Sequence, residues 1–213
     1  MAIFYALLFG IDYYDPKPDN FDHLQGCVRD IDQVASYLDK SLGISADNIT
    51  RLTSPLPNIN SLADVRSARQ EMPPTYENIV QAFSDITETA KKDDLVYIHY
   101  SGHGGRVKTI FPELDGKGGF DEGLVPMDVG NGGHYLRDVE MTTLLKRMTD
   151  KGLIVTVIFD SCHSGGATRG DGAVRGSRNG TPDTKDRPTT SKVAPREELV
   201  QTWLKLTQGG AKD

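Results

Sequence analysis

The chain has 213 residues, 37% of them hydrophobic and 25% charged, with a formal net charge of -6. That length and mixture predict one compact domain with chain to spare for flexible segments. The acidic balance argues against nucleic acid as a partner, because such proteins carry a basic stripe. Two cysteines are too few for a disulfide framework or a cysteine-rich metal site.

Residues 1–10 are apolar but short, with no basic residue before them and Asp12 directly behind. They lack the layout of a signal peptide. No apolar run approaches the ~20 residues that cross a bilayer. A soluble protein without a membrane partner is expected, and sparse cysteine usage predicts a reducing, cytoplasmic compartment.

Residues 2–9 read as a first buried strand. A helix follows, with Val28, Ile31, Val34, Ala35 and Leu38 at three- and four-residue spacing and Gly43 as its stop. Residues 49–52 are a weaker strand candidate. Thr75 is placed to cap a second helix striped with Ile79, Phe83, Ile86 and Ala90. Residues 95–100 and 153–159 are short, β-branched or aromatic runs, predicted as strands buried on both faces. Between them Asp138 is positioned to cap a third helix carrying Met141, Leu144, Leu145 and Met148.

Strand and helix in alternation predict an α/β fold, a three-layer sandwich whose central sheet is mostly parallel and flanked by helices. Residues 106–133 read as a long glycine-rich, acidic loop. The domain is expected to occupy residues 1–168. Residues 169–194, rich in Gly, Arg and Thr with almost no large apolar side chain, are expected to be a flexible linker. A last helix, 196–206, has Leu199, Trp203 and Leu206 on one side and belongs to a C-terminal segment, 195–213.

Functional groups in open parallel sheets gather at the carboxyl ends of the strands. One strand here runs into Ser101-Gly102-His103-Gly104-Gly105, another into Asp160-Ser161-Cys162-His163. If the two strands are neighbours, the Cys162 thiol and the His103 imidazole meet at one edge. The imidazole then activates the thiol and hands its proton to a leaving amine. Backbone N–H groups at Gly104 and Cys162 are candidate oxyanion donors, each typically worth ~3 kcal/mol. His163 adjoins the cysteine and is badly placed as its base, and His134 reads as a surface residue. A phosphatase loop needs five residues between Cys and Arg, whereas Cys162 and Arg169 enclose six. A zinc site from His103, Cys162 and His163 lacks recognisable ligand spacing.

The segments Tyr97-Ile98-His99-Tyr100-Ser101-Gly102-His103-Gly104 and Asp160-Ser161-Cys162-His163-Ser164-Gly165 resemble the two signature motifs of the metacaspases and bacterial orthocaspases. Gly26-Cys27-Val28-Arg29-Asp30 resembles a third. The resemblance implies a caspase-like cysteine endopeptidase cutting after Arg or Lys, with Cys27, Asp30, Ser101 and Asp160 lining the pocket for the basic side chain. Two carboxylates suit that role. One ion pair at ~4 Å and an effective dielectric of ~20 contributes about 4 kcal/mol before desolvation.

Many members of the family bind calcium through four aspartates. Here Asp121 and Asp138 stand at two of those places, with Val139 and Arg169 at the others, so calcium-independent activation with no metal is expected. The family sheet has six strands against four candidates here. The chain therefore resembles a large subunit, whose partner is a small-subunit segment of the same precursor and whose strand 153–159 lies at an open edge. Self-cleavage is expected after Arg169, Arg175 or Arg178, in a stretch that also carries Lys185, Arg187 and Lys192. The alternative is a catalytically silent caspase-like interaction module.

Overall fold

In the computed structural model, residues 2–57, 72–114, 119–130, 132–161 and 181–208 are described. Their elements in chain order are β1 (Phe4–Ile11), α1 (Cys27–Lys40), β2 (Ile49–Ser54), α2 (Tyr76–Thr89), β3 (Leu95–Ser101), β4 (Gly104–Lys108), β5 (Phe120–Leu124), β6 (Leu136–Arg137), α3 (Asp138–Asp150), β7 (Ile154–Asp160) and α4 (Arg196–Gln208). No helix among these residues is long and apolar enough to cross a membrane.

Four strands form the expected parallel sheet, in the order β2-β1-β3-β7. β1 is central and nearly wholly buried, which its unbroken apolar run requires, since both faces are covered. On one face Ala6 and Leu8 meet Ile31 and Leu38 of α1. On the other, Leu7 and Phe9 join a larger core with Ile79, Phe83 and Ile86 of α2 and Leu144 and Met148 of α3. Full burial of one such side chain contributes roughly 1.5–3 kcal/mol. The expected α/β architecture with helices on both faces is therefore the observed one.

Local signals behave as their chemistry demands. Thr75 Oγ1 accepts from the Asn78 N–H at 3.2 Å and starts α2. α3 begins at Asp138 itself rather than after it, and Glu140 reaches back to accept from the Arg137 N–H at 3.0 Å. α1 has glycine at its N-cap, which offers no side-chain acceptor. Asp12 supplies one from the end of the β1 region, accepting from Cys27 N–H at 2.8 Å and Val28 N–H at 3.3 Å. Gly10 lets α1 come this close, because a Cβ there would lie 3.0 Å from the Cys27 carbonyl oxygen.

Three expectations are corrected. Within the span read as loop, residues 106–133, lie most of β4 and all of β5. With β6 they form a three-stranded antiparallel sheet, β4-β5-β6. Glycine pairs closely there: a Cβ on Gly123 would sit 2.8 Å from the Leu136 carbonyl oxygen. Glycines and an inward-facing Asp121 erase the alternating apolar pattern that betrays a strand. β7, expected to be buried on both faces, exposes Ile154 (56%), Ile158 (40%) and Phe159 (38%), and among the described residues it pairs with β3 alone.

The third correction concerns the described part of the expected linker, residues 181–194, which is docked. Asp183 pairs through its backbone with Arg106 and Lys108 beside β4. Its carboxylate accepts from Tyr135 Oη at 2.9 Å and from Arg187 Nη2 at 2.6 Å, with both partners of the ion pair almost fully buried. Arg187 also donates to the Val129 carbonyl and lies over the Tyr135 ring. Further along, Ser191 Oγ donates to Glu140 at 2.6 Å, and Val193 and Ala194 enter the core. α4 continues onto α3, as its apolar stripe predicts, with Arg147 bridging Val193 and Glu198. Ion pairs and hydrogen bonds anchor this segment where apolar content is low, so hydrophobicity alone misses it.

Burial by itself would raise the Asp183 carboxyl, but the Arg187 guanidinium and the Lys185 N–H hold it below the usual carboxylate range. A depressed folded-state pKa stabilises above the unfolded value of ~3.9, and the contribution is lost as pH falls through the folded value. Urea unfolding at pH 7 and pH 3 should thus show a smaller acid loss in Asp183→Asn than in the wild type. Arg187→Ala, which strands a buried carboxylate, should cost about 3 kcal/mol at pH 7.

Candidate active site

The sheet register carries the site. Gly10, Ser101 and Asp160 lie in one row across β1, β3 and β7, at the carboxyl edge of the sheet. Two residues past Ser101, His103 is 2% exposed. Its ring lies between Tyr14 and Phe21, with centroids 5.1 and 4.8 Å away. His103 Nε2 is 2.7 Å from the Asp22 carbonyl oxygen. A carbonyl oxygen only accepts, so Nε2 carries the proton and the neutral ring keeps its basic lone pair on Nδ1.

The backbone of His103 is held as firmly as the ring. Its N–H donates to Tyr14 Oη at 2.9 Å. Its carbonyl accepts from Tyr100 Oη at 2.8 Å and from the Val125 N–H at 3.1 Å. Burial pushes the Tyr14 and Tyr100 hydroxyls well above the ordinary phenol value, so both stay protonated and keep these bonds. A Cβ at Gly102 would sit 2.7 Å from Tyr100 Oη, so glycine is what lets that ring fold beneath the loop. Gly104 opens β4 opposite Leu124, and the bond from Val125 N–H to His103 marks this as a non-hydrogen-bonded pair. The Gly104 N–H is therefore directed away from β5, free of the strand ladder.

Of the four residues expected to line the pocket, Ser101 is buried and Asp160 exposed, with Ser101 Oγ 3.5 Å from Asp160 Oδ2. Cys27 is fully buried with its carbonyl against Gly10, so it contributes to the floor of this rim. Asp30 lies half-buried one turn further along α1. Ser101 and Asp160 thus share the carboxyl edge of the sheet, and Cys27 lies against Gly10 in the same row. Cys162, His163, Arg169, Arg175 and Arg178 lie outside the described residues, so neither a distance to His103 nor a zinc geometry is defined.

His134, expected at the surface, is half-buried and stacks on Tyr76 at 4.4 Å, and burial lowers its pKa. Asp121 is fully buried and ion-paired to Arg137 at 2.6 Å, and it also accepts from Thr109 Oγ1 at 2.7 Å. Asp138 accepts from the Val139 N–H at 2.9 Å. Calcium takes six to eight oxygens, and a carboxylate neutralised by a buried guanidinium does not fit that requirement. Among the described residues no group of three or more His, Cys, Asp or Glu side chains is disposed to hold a metal ion. Sequence reasoning assigned no role to Tyr14, Phe21 or Asp22. The available signal was the aromatic cluster Tyr13, Tyr14 and Phe21 in an otherwise polar loop.

Comparison with known proteins agrees with this architecture. The crystal structure of protein GSU0716 from Geobacter sulfurreducens superimposes with a TM-score of 0.52 at 25% identity, covering 77% of this chain and 52% of that one. Metacaspase-1A of Aspergillus oryzae is 36% identical over 164 residues, which are 76% of this chain and 34% of that protein. Metacaspase-1 of Botryotinia fuckeliana is 35% identical over 162 residues, again 34% of its length. The matched region thus spans about a third of the length of these curated relatives. Residues 5–169 match the model of the metacaspase peptidase C14 domain, and the chain belongs to that family.

Proposed function

We propose that this chain is the catalytic portion of a cysteine endopeptidase that cuts after Arg or Lys. The observation that carries the reading is the parallel register of β3 and β7, which sets Ser101 beside Asp160. His103 follows the first by two residues and Cys162 follows the second by two. Two residues reach at most about 7 Å, so imidazole and thiol leave neighbouring points on one edge. The tautomer fits as well, since Nε2 is committed to Asp22 and Nδ1 is the basic atom.

In this reading the Cys162 sulfur attacks the scissile carbonyl carbon as its proton passes to His103 Nδ1. The Asp22 carbonyl stabilises the imidazolium through Nε2–H. The N–H groups of Gly104 and Cys162 face the developing oxyanion. Collapse breaks the C–N bond, and His103 protonates the leaving amine. Water, deprotonated by the same imidazole, then hydrolyses the thioester and restores the thiol. Asp30 and Asp160, with Ser101 and Cys27 beneath them, receive the basic side chain before the cut. The sites Arg169, Arg175 and Arg178 present that same side chain in cis, which supports self-processing. The Asp121–Arg137 pair supports activation without calcium. The open edge of β7 and the exposed Ile154 and Ile158 suit a further segment of the precursor, the small-subunit partner. A reducing, cytoplasmic setting would keep the thiol active.

A second reading, a silent caspase-like interaction module, draws on the same uncovered strand. Fluorogenic peptides ending in Arg, Lys or Asp separate the two. Turnover of the Arg and Lys peptides alone, abolished in Cys162→Ala and unchanged by calcium or chelator, is the expected result. No turnover would favour the module, a preference for Asp would overturn the acidic pocket, and activity switched on from zero by calcium would overturn metal independence. Asp160→Asn should lower kcat/KM for the Arg peptide roughly tenfold or more, the Coulombic gain less its desolvation cost.

Two further measurements probe the site itself. Long-range nitrogen–proton NMR at neutral pH should show His103 protonated at Nε2 and bare at Nδ1, and the opposite tautomer would contradict the mechanism. Mass spectrometry of active protein should find cuts after Arg169, Arg175 or Arg178 that are missing from Cys162→Ala. Identical cuts in both would mean an outside protease.

A further inference from the structure

The loop between β1 and α1 supplies more than the carbonyl that holds His103. Within it Tyr13 and His23 lie face to face, ring centroids 4.7 Å apart and 23° from parallel, both half-buried. The pair is anchored on both sides. Tyr13 N–H donates to the Ser54 carbonyl at 2.9 Å, and Ser54 Oγ donates to the Tyr13 carbonyl at 2.6 Å. His23 Nδ1 accepts from the Tyr14 N–H at 3.3 Å. Each ring is one residue from a direct support of the imidazole: Tyr14 packs on His103, and the Asp22 carbonyl binds its Nε2.

Strand order gives this stack a direction. The thiol belongs to the end of β7, the imidazole to the end of β3, and the loop to the end of β1, fastened to β2 through Ser54. The general acid must reach the leaving nitrogen, so the half of a substrate that follows the cut lies on the imidazole's side of the sulfur. Continuing the same way, above the pocket floor that Ser101 and Cys27 make, that half meets the loop that carries the two rings.

We propose that the Tyr13–His23 stack is the platform for the first two residues after the cut, selecting an aromatic or large aliphatic side chain there. This rests on the peptidase reading of Cys162 and His103. An immobilised aromatic pair offers a flat apolar face that loses little conformational entropy on binding. The adjoining Asp22 carboxylate is paired with Lys17 at 2.9 Å.

The test compares two substrates of the full-length protein. One is an Arg-ending methyl ester, whose leaving methanol is too small to reach the rings. The other is a set of internally quenched peptides carrying Phe, Leu, Gly or Asp at the first two positions after the same Arg. Wild type should cleave the Phe and Leu peptides about fivefold better in kcat/KM than the Gly and Asp peptides, the size of one aromatic contact. Tyr13→Ala and His23→Ala should erase that preference and leave hydrolysis of the methyl ester unchanged, while Tyr13→Phe, which keeps the stack, should retain it. Equal loss on both substrates would show that the rings only support His103, and an absent preference in wild type would also overturn the proposal. Failure of wild type on the methyl ester would sink the peptidase reading and this inference together.

Discussion

An imidazole serves as a proton carrier only if its ring is fixed and its charged form is tolerated, and burial works against the second. For His103, the proposed proton carrier, one hydrogen bond reconciles the two demands, that from Nε2 to the Asp22 carbonyl. The contact fixes the tautomer, aims Nδ1 and supplies a dipole that welcomes positive charge when the ring takes a proton. The rest of the edge is arranged to deliver that carbonyl. Asp12 caps α1 and sets where the loop must rejoin the fold, Gly10 lets the helix approach, and Tyr14 and Phe21 close around the ring.

Two kinds of cohesion divide the molecule. The parallel sheet is held by apolar burial between α1 on one side and α2 and α3 on the other. The small antiparallel sheet and the segment along it are held by buried ion pairs, Asp121–Arg137 and Asp183–Arg187, each with additional hydrogen-bond partners. Such pairs are costly to break because removal of one partner leaves a buried charge. They add little net stability over apolar packing, but they specify one geometry. That suits a sheet whose first strand begins immediately after the histidine.

β7 is the unfinished side of the fold. It runs beside the histidine strand along its full length, yet Ile154 and Ile158 remain in solvent. An uncovered apolar edge strand is a hazard for an isolated chain. The strand that leads to Cys162 thus lacks, among the described residues, the cover that β1 enjoys on both faces.

The strand runs, the helix stripes, the Thr75 cap and the two motifs at strand ends were legible in the sequence because each rests on local periodicity or on a short contiguous signal. So was the family, which the pairing of Ser101-Gly102-His103-Gly104 with Asp160-Ser161-Cys162 identifies. The role of Asp22 was not legible, since a main-chain carbonyl leaves no mark on residue type. Nor were β4 and β5, whose glycines and buried Asp121 mimic a loop, or the docking of residues 181–194, whose partners lie some fifty residues away or more. Local chemistry therefore determined which elements form and which family the chain belongs to. Tertiary structure alone decided the orientation of His103, the neutralisation of Asp121 and the exposure of β7, because each depends on groups brought together only when distant segments pack.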